Sequence, residues 1–383
     1  MLSYQIADEG ETGSYYASAR NGCIMSDGSY WRAVRYSYFD GTWRSGIHIR
    51  TSSDGGKTWS TEYTITNQGG SANDSALLVS MDLSPDDTLH VSYYSFYEAT
   101  SPITNKLTHL SRVAGVWGAA TTIWTLPANS GKVSSMRVDS TNMCHFVAPQ
   151  TYQQFQYRTL SSGGVLGAIE TISVNIVAGA NLEIDSDDKP HVVWEEGEEA
   201  LLMYSNRVSG SWASAEQLHD IHFGHFGSSY TADQNLGFDS LGNLWLVFCG
   251  YGWDRLYIQK RAGSAWGSRV TIVRRPGVSE PCLGFSPSGR MYVYFNQGDY
   301  YNRLMRAYSS DGKHWATEIL PFNDNGVDGQ TIGIFKPYAD APENGVFTAM
   351  KQGDSDRIEY LLFPGVPHSG ELHPTHPTHG GGM

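Results

Sequence analysis

Charge is sparse in this sequence. Asp, Glu, Lys and Arg make up only 17% of its 383 residues, and no long segment repeats apolar residues at helical spacing. An architecture of amphipathic helices is thereby excluded. No apolar run approaches the 18 residues that a membrane-spanning helix needs. Basic residues are the minority, 26 Lys and Arg against 39 Asp and Glu for a net charge of −13. A nucleic-acid backbone, which needs Lys/Arg surfaces, is not an expected partner. Cysteine is scarce too. Cys23, Cys144, Cys249 and Cys282 are far apart, form no C-x-x-C pair and fall in strand-like runs. They read as buried free thiols rather than as disulfides or metal ligands. The first ten residues lack a basic stretch followed by an apolar one, so no signal peptide is expected and synthesis is placed in the cytoplasm.

Aromatic residues and glycine are abundant instead: 23 Tyr, 11 Trp, 14 Phe and 42 Gly. That mixture favours strands and turns. A unit of roughly 50 residues recurs along the chain, the size of a propeller blade. Its first hairpin reads M-D-L-S-P-D-D-T-L-H-V-S-Y-Y at 81–94, R-V-D-S-T-N-M-C-H-F-V-A at 137–148 and E-I-D-S-D-D-K-P-H-V-V-W at 183–194. Further copies begin at residues 23, 237, 284 and 335. Its second hairpin ends near a Trp, as in N-R-V-S-G-S-W-A-S at 206–214 and K-R-A-G-S-A-W-G-S at 260–268. The expected fold is all-β: a seven-bladed propeller of four-stranded antiparallel blades over residues 1–366, followed by a Pro/His/Gly-rich tail, 367–383. The last unit lacks a fourth strand. L-S-Y-Q-I-A at 2–7 alternates like one and is expected to complete that blade, leaving no open edge.

Two copies of the second hairpin are sharper than the rest: S-S-D-G-G-K-T-W at 52–59 and S-S-D-G-K-H-W at 309–315. Ser52, Asp54, Gly56 and Trp59 resemble the Asp-box of the sialidase-like (BNR-repeat) propellers, and Ser309, Asp311, Gly312 and Trp315 form a copy one residue shorter. The resemblance implies a structural role for these eight residues, on the face opposite the ligand. It also implies that a sialidase-like site would draw on Glu280 and, in a comparable region, Arg20, although the family's full arginine set is incomplete here; Asp74, which opens an inner strand at the axial mouth, is the third catalytic candidate. The D-x-x-x-x-x-H pattern is similar to that of propellers that include ulvan-class polysaccharide lyases. His90, His145 and His191 stand at equivalent places in successive units and therefore read as blade architecture.

Blade topology puts the Asp-box turns at one end of the sheets. The other end holds the loops between second and third strands and the connections between blades. Aromatic faces beside planar polar groups concentrate there, the combination that stacks and hydrogen-bonds a sugar ring. The expected ligand residues are Tyr97, Tyr152, Trp194, Tyr251, Trp253, Asp254, Arg255, Asp299, Tyr301 and Arg303, with Tyr300 beside them. Arg274 and Arg275 sit just upstream of Glu280, and Glu195, Asp254, Asp74 and Glu280 are the carboxylates that a glycosidase pair would draw on. The His219, His222 and His225 segment reads as a polar loop. The tail reads as a flexible segment; its histidines His373, His376 and His379 would share one face of a polyproline helix, with metal capture or docking to other virion proteins as the alternatives.

The sequence thus points to a glycan-recognition propeller, with a carbohydrate or glycan as partner, in the setting of a phage virion or tail. On that reading it reaches the cell exterior only on release. The alternative is a glycoside hydrolase or polysaccharide lyase on the same face. No cofactor and no resident metal is expected.

Overall fold

A computed structural model of the chain describes residues 3–9, 22–39, 43–54, 58–66, 75–97, 104–127, 134–151, 154–175, 177–196, 201–219, 235–250, 254–286, 288–297, 303–319, 328–334, 347–352 and 357–363. Every regular element among the described residues is a strand. β1 (Ser3–Glu9) precedes the first group, β2–β5 (Gly22–Ile24, Tyr30–Phe39, Trp43–Ser52, Ser60–Ile65). The second group is β6–β10 (Ser75–Leu83, Leu89–Tyr97, Thr104–Val113, Val116–Trp117, Thr121–Pro127). The third is β11–β14 (Ser135–Val138, Cys144–Thr151, Gln154–Leu160, Glu170–Ser173), and the fourth is β15–β18 (Val177–Ile184, Pro190–Glu196, Leu201–Asn206, Glu216–His219). β19–β23 follow (Leu236–Phe238, Leu244–Cys249, Arg255–Ala262, Ala265–Trp266, Val270–Arg274), then β24–β27 (Val278–Phe285, Met291–Gln297, Arg303–Ser309, Ala316–Ile319). The last group is β28–β30 (Asp328–Ile334, Phe347–Gln352, Arg357–Phe363).

Each group is a meander of four antiparallel strands, with the two-residue strands β9 and β22 added at the Trp-bearing turns. The first two groups touch through one parallel bridge, Ser45 to Ser75. These groups fall on the repeat units of the sequence, and the first strands of neighbouring groups contact one another in succession from β2 to β28. The N-terminal strand does what its alternation predicts. β1 pairs antiparallel with β30, from Ser3 opposite Phe363 to Glu9 opposite Ile358, and becomes the fourth strand of the last group. The result is a β-propeller.

A single sheet of this kind cannot bury both faces, so the core lies between sheets. One cluster joins Val147, Phe155 and Tyr157 of the third unit to Trp194 and Tyr204 of the fourth and Leu246 and Phe248 of the fifth. Each fully buried side chain of this size contributes about 1.5–3 kcal/mol, so every sheet leans on its neighbours. The turn tryptophans serve the same contact. Trp212 meets Tyr157 edge-on with centroids 5.1 Å apart, and Trp266 meets Tyr204 at 5.3 Å. Leu166, where the third unit lacks its Trp, packs on the cluster between the second and third units. All four cysteines are buried and none is in a disulfide.

The first-hairpin turns also stitch neighbours together. Asp87 and Asp188 adopt positive φ (65° and 60°) at the turn tips. Asp87 accepts hydrogen bonds from Ser26 N (3.1 Å) and Ser26 Oγ (2.7 Å) of the unit before it. Asp188 does the same for Ser140, at 2.8 and 2.5 Å. A short acid that tolerates left-handed backbone is what this place requires.

Candidate functional site

At the turn end of the sheets the acids are spent on their own backbone. Asp54 accepts from Ser52 Oγ (2.7 Å), Thr58 N (2.9 Å) and Thr58 Oγ1 (2.7 Å). Asp311 accepts from Lys313 N (2.8 Å) and His314 N (2.9 Å), with the His314 ring at 2.7 Å. The His314 amide and ring, then the Lys313 amide, hold the Asp311 carboxyl well below the usual carboxylate range. Gly312 has φ +70°, and an added Cβ would lie 2.3 Å from the ring of Trp245 in the preceding unit. Arg32 lies over the Trp59 ring at 4.3 Å. Gly56 falls outside the described residues.

The repeated histidines form chains. In the third unit His145 Nε2 lies 3.0 Å from Asp139, and Nδ1 lies 2.7 Å from the Tyr157 hydroxyl. In the fourth, His191 is 3.1 Å from Asp185 and 2.7 Å from the Tyr204 hydroxyl. An ionised acid only accepts, so Nε2–H donates to Asp and Nδ1 accepts from Tyr. Burial pulls the Asp139 carboxyl upward, but the bonds from His145 and from the Met143 and Thr141 amides outweigh it and set it at about 2. Burial lowers His191 despite the opposing pull of Asp185. A cleft of about 260 Å³ opens between these units, lined by Asp139, His145, Tyr157, Glu170, Lys189 and Arg207. Its strongest charges are matched in place: Arg207 donates to both Glu170 oxygens at 2.9 Å. Nearby, Arg137, only 1% exposed, donates Nε to Glu183 at 3.1 Å. Nothing in the sequence marked this cleft, because its residues come from two units and from alternate strand positions.

The loop end is different. β21 enters from it at Arg255, and β23 ends there at Arg274, directly opposite Arg255 in the strand register. Arg274 and its neighbour Arg275 are exposed. Asp254 lies 3.3 Å from Arg255 Nε, and Arg255 Nη1 donates to the Tyr257 hydroxyl at 3.2 Å. Arg269 covers the Tyr257 ring at 5.2 Å. Like charges directly opposite on paired strands are destabilising, so two arginines held this way, with Asp254 the one carboxylate beside them among the described residues, form a partly neutralised cationic surface.

The expected ligand residues divide accordingly. Asp254 and Arg255 come together. Tyr97, Glu280 and Arg303 lie on β7, β24 and β26 at the loop end, and their side chains are outside the description. Trp194 is corrected: its strand is buried on both faces, its ring packs tilted against Phe155 at 5.6 Å and its Nε1 donates to Glu196 at 2.7 Å. It offers no face to a sugar. Glu196 also accepts from Ser173 Oγ (2.6 Å) and Asn175 Nδ2 (2.7 Å), and Glu195 is buried at 8% exposure. Arg20, Asp74, Tyr152, Tyr251, Trp253, Asp299, Tyr300 and Tyr301 lie outside the described residues, as do His222, His225 and the tail histidines.

No protein-family model matches the chain, and no curated protein matches it. Solved structures match over nearly their whole length. A family 25 polysaccharide lyase, an ulvan lyase, is 10% identical over 92% of this chain and 94% of its own, with a TM-score of 0.62. The same kind of enzyme bound to -[GlcA(1-4)Rha3S]- is 11% identical with a TM-score of 0.60, over 92% and 94%. An α-L-arabinanase from Penicillium chrysogenum, complexed with arabinobiose, is 10% identical over 93% and 98%, with a TM-score of 0.51. These similarities establish the propeller fold.

Proposed function

We propose that the protein is a seven-bladed glycan-recognition propeller whose ligand is an acidic polysaccharide, held at the loop end of the fifth and sixth units. The observation that carries this reading is the register pair Arg255 and Arg274 beside Arg275, in a chain whose net charge is −13. An anion on the surface relieves the repulsion between the two arginines. Arginine's planar fork matches carboxylate and sulfate groups. Asp254 is left to accept from sugar hydroxyls. The glucuronate and sulfated rhamnose on the ulvan lyase neighbour are saccharides of this class.

The second reading is a polysaccharide lyase or hydrolase on the same surface. It is favoured by the Tyr257 hydroxyl, held by Arg255 next to where an acidic sugar would sit. One experiment separates the readings. Uronate-bearing, sulfated and neutral polysaccharides are each incubated with the protein and read for binding and for new chain ends. Retention of acidic polysaccharides, weakening with salt and without new ends, is the expected result. New unsaturated or reducing ends would install the enzyme reading. Failure to bind any acidic polysaccharide would remove both.

A further inference from the structure

The second unit breaks the Asp–His–Tyr rule, and the break gathers three metal-ligating side chains. In the third and fourth units the Tyr of each chain stands two residues before the residue paired with His: Tyr157 before Thr159, Tyr204 before Asn206. In the second unit His90 pairs with Ser111, and two residues before it stands His109. The acid is replaced as well. The turn position held by Asp139 and Asp185 is Ser84, six residues before His90, as those acids are before His145 and His191. Ser84 makes the matching turn bond, accepting from Asp87 N and donating to Thr88 O. Into this altered place the next unit inserts Cys144, the first residue of β12.

The donor atoms converge. His90 Nδ1 lies 3.0 Å from His109 Nε2 and 3.1 Å from Cys144 Sγ, and His109 Nε2 lies 3.7 Å from the sulfur. All three side chains are buried, with exposures of 6%, 5% and 2%. Zinc takes imidazole nitrogen at about 2.0–2.1 Å and thiolate at about 2.3 Å in tetrahedral array, which sets neighbouring donors roughly 3.3–3.6 Å apart. The three separations here, 3.0, 3.1 and 3.7 Å, bracket that range. Two imidazoles and a thiolate suit zinc better than a hard cation.

We infer that His90, His109 and Cys144 form a zinc site joining the second unit to the third. This replaces the sequence expectation of no resident metal and does not depend on the glycan reading. Zinc binds by forming a Zn–S bond as the Cys144 S–H bond breaks, and the proton leaves to solvent. The nearby Asp82 and Asp139 carboxylates favour the cation.

The test uses the full chain, purified without an affinity tag and stripped with a chelator. Cobalt(II) is added, absorption is recorded and zinc is titrated in. The expected result is one cobalt per chain with a thiolate-to-cobalt charge-transfer band, which zinc abolishes. The tail histidines cannot produce that band. His109→Tyr restores the side chain that the third and fourth units use, so the variant is expected to fold. It should lose the band, as should Cys144→Ser, and zinc should raise the melting temperature of the parent alone. A parent protein without the band, or a band that persists in folded Cys144→Ser, overturns the inference.

Discussion

The two ends of the propeller handle charge in opposite ways. At the turn end Asp54, Asp139, Asp185, Asp239 and Asp311 each accept several bonds from their own turns, and Arg207 is locked onto Glu170. At the loop end, among the described residues, two arginines face each other across a strand pair, with a third next to them and Asp254 near. Charge at the first end holds the backbone; charge at the second is what the proposed function assigns to a ligand. The difference separates residues that make the fold from residues that use it, and it can be attacked from either side.

The largest effect is expected at the turn end. Gly312→Ala combines strained positive φ with a Cβ inside the Trp245 ring, a cost of roughly 2–4 kcal/mol. Denaturant unfolding measures it, and the folded fraction should bind glycan as before. Next is Asp139→Ala, which strips partners from His145 and two turn amides, a loss of roughly 1–3 kcal/mol. Arg274→Ala should act the other way round. Affinity for acidic polysaccharide should fall about tenfold, roughly 1.4 kcal/mol, while unfolding free energy shifts by no more than about 0.5 kcal/mol.

Acid should affect stability at the turn end. His191 stays neutral in the fold below its ordinary pKa, so its contribution is full above about 6.5 and is lost as pH falls below that. Asp139, set at about 2, contributes above its ordinary 3.8 and loses that contribution as pH falls through 2. Both groups bind fewer protons folded than unfolded, so stability rises with pH in both windows. A pH series of melting curves checks the sign and the two steps.

Much of the fold was legible because it repeats. The turn acids, the Trp corners and the unpaired last unit each recur or are conspicuously missing, and the closing strand at Ser3–Glu9 follows from counting strands. Trp194 misled because W-E-E-G-E-E reads as a polar loop, while the strand runs on to Glu196 and is buried on both faces. Arg274 lies opposite Arg255 only once the bulge between Leu256 and Tyr257 sets the register. His90 looked like its repeats because the sequence shows its own position and not its partners. His109 and Cys144 come from two other strands, one of them in the next unit.

The most direct measurement is calorimetric titration of a uronate oligosaccharide into the parent protein, Arg274→Ala and Asp139→Asn at equal ionic strength. The account predicts tight binding by the parent, about tenfold weaker binding by Arg274→Ala, and parent-like affinity for Asp139→Asn. A loss confined to Asp139→Asn would place the ligand at the turn end, and equal affinities for all three would place it at neither; either result contradicts the account.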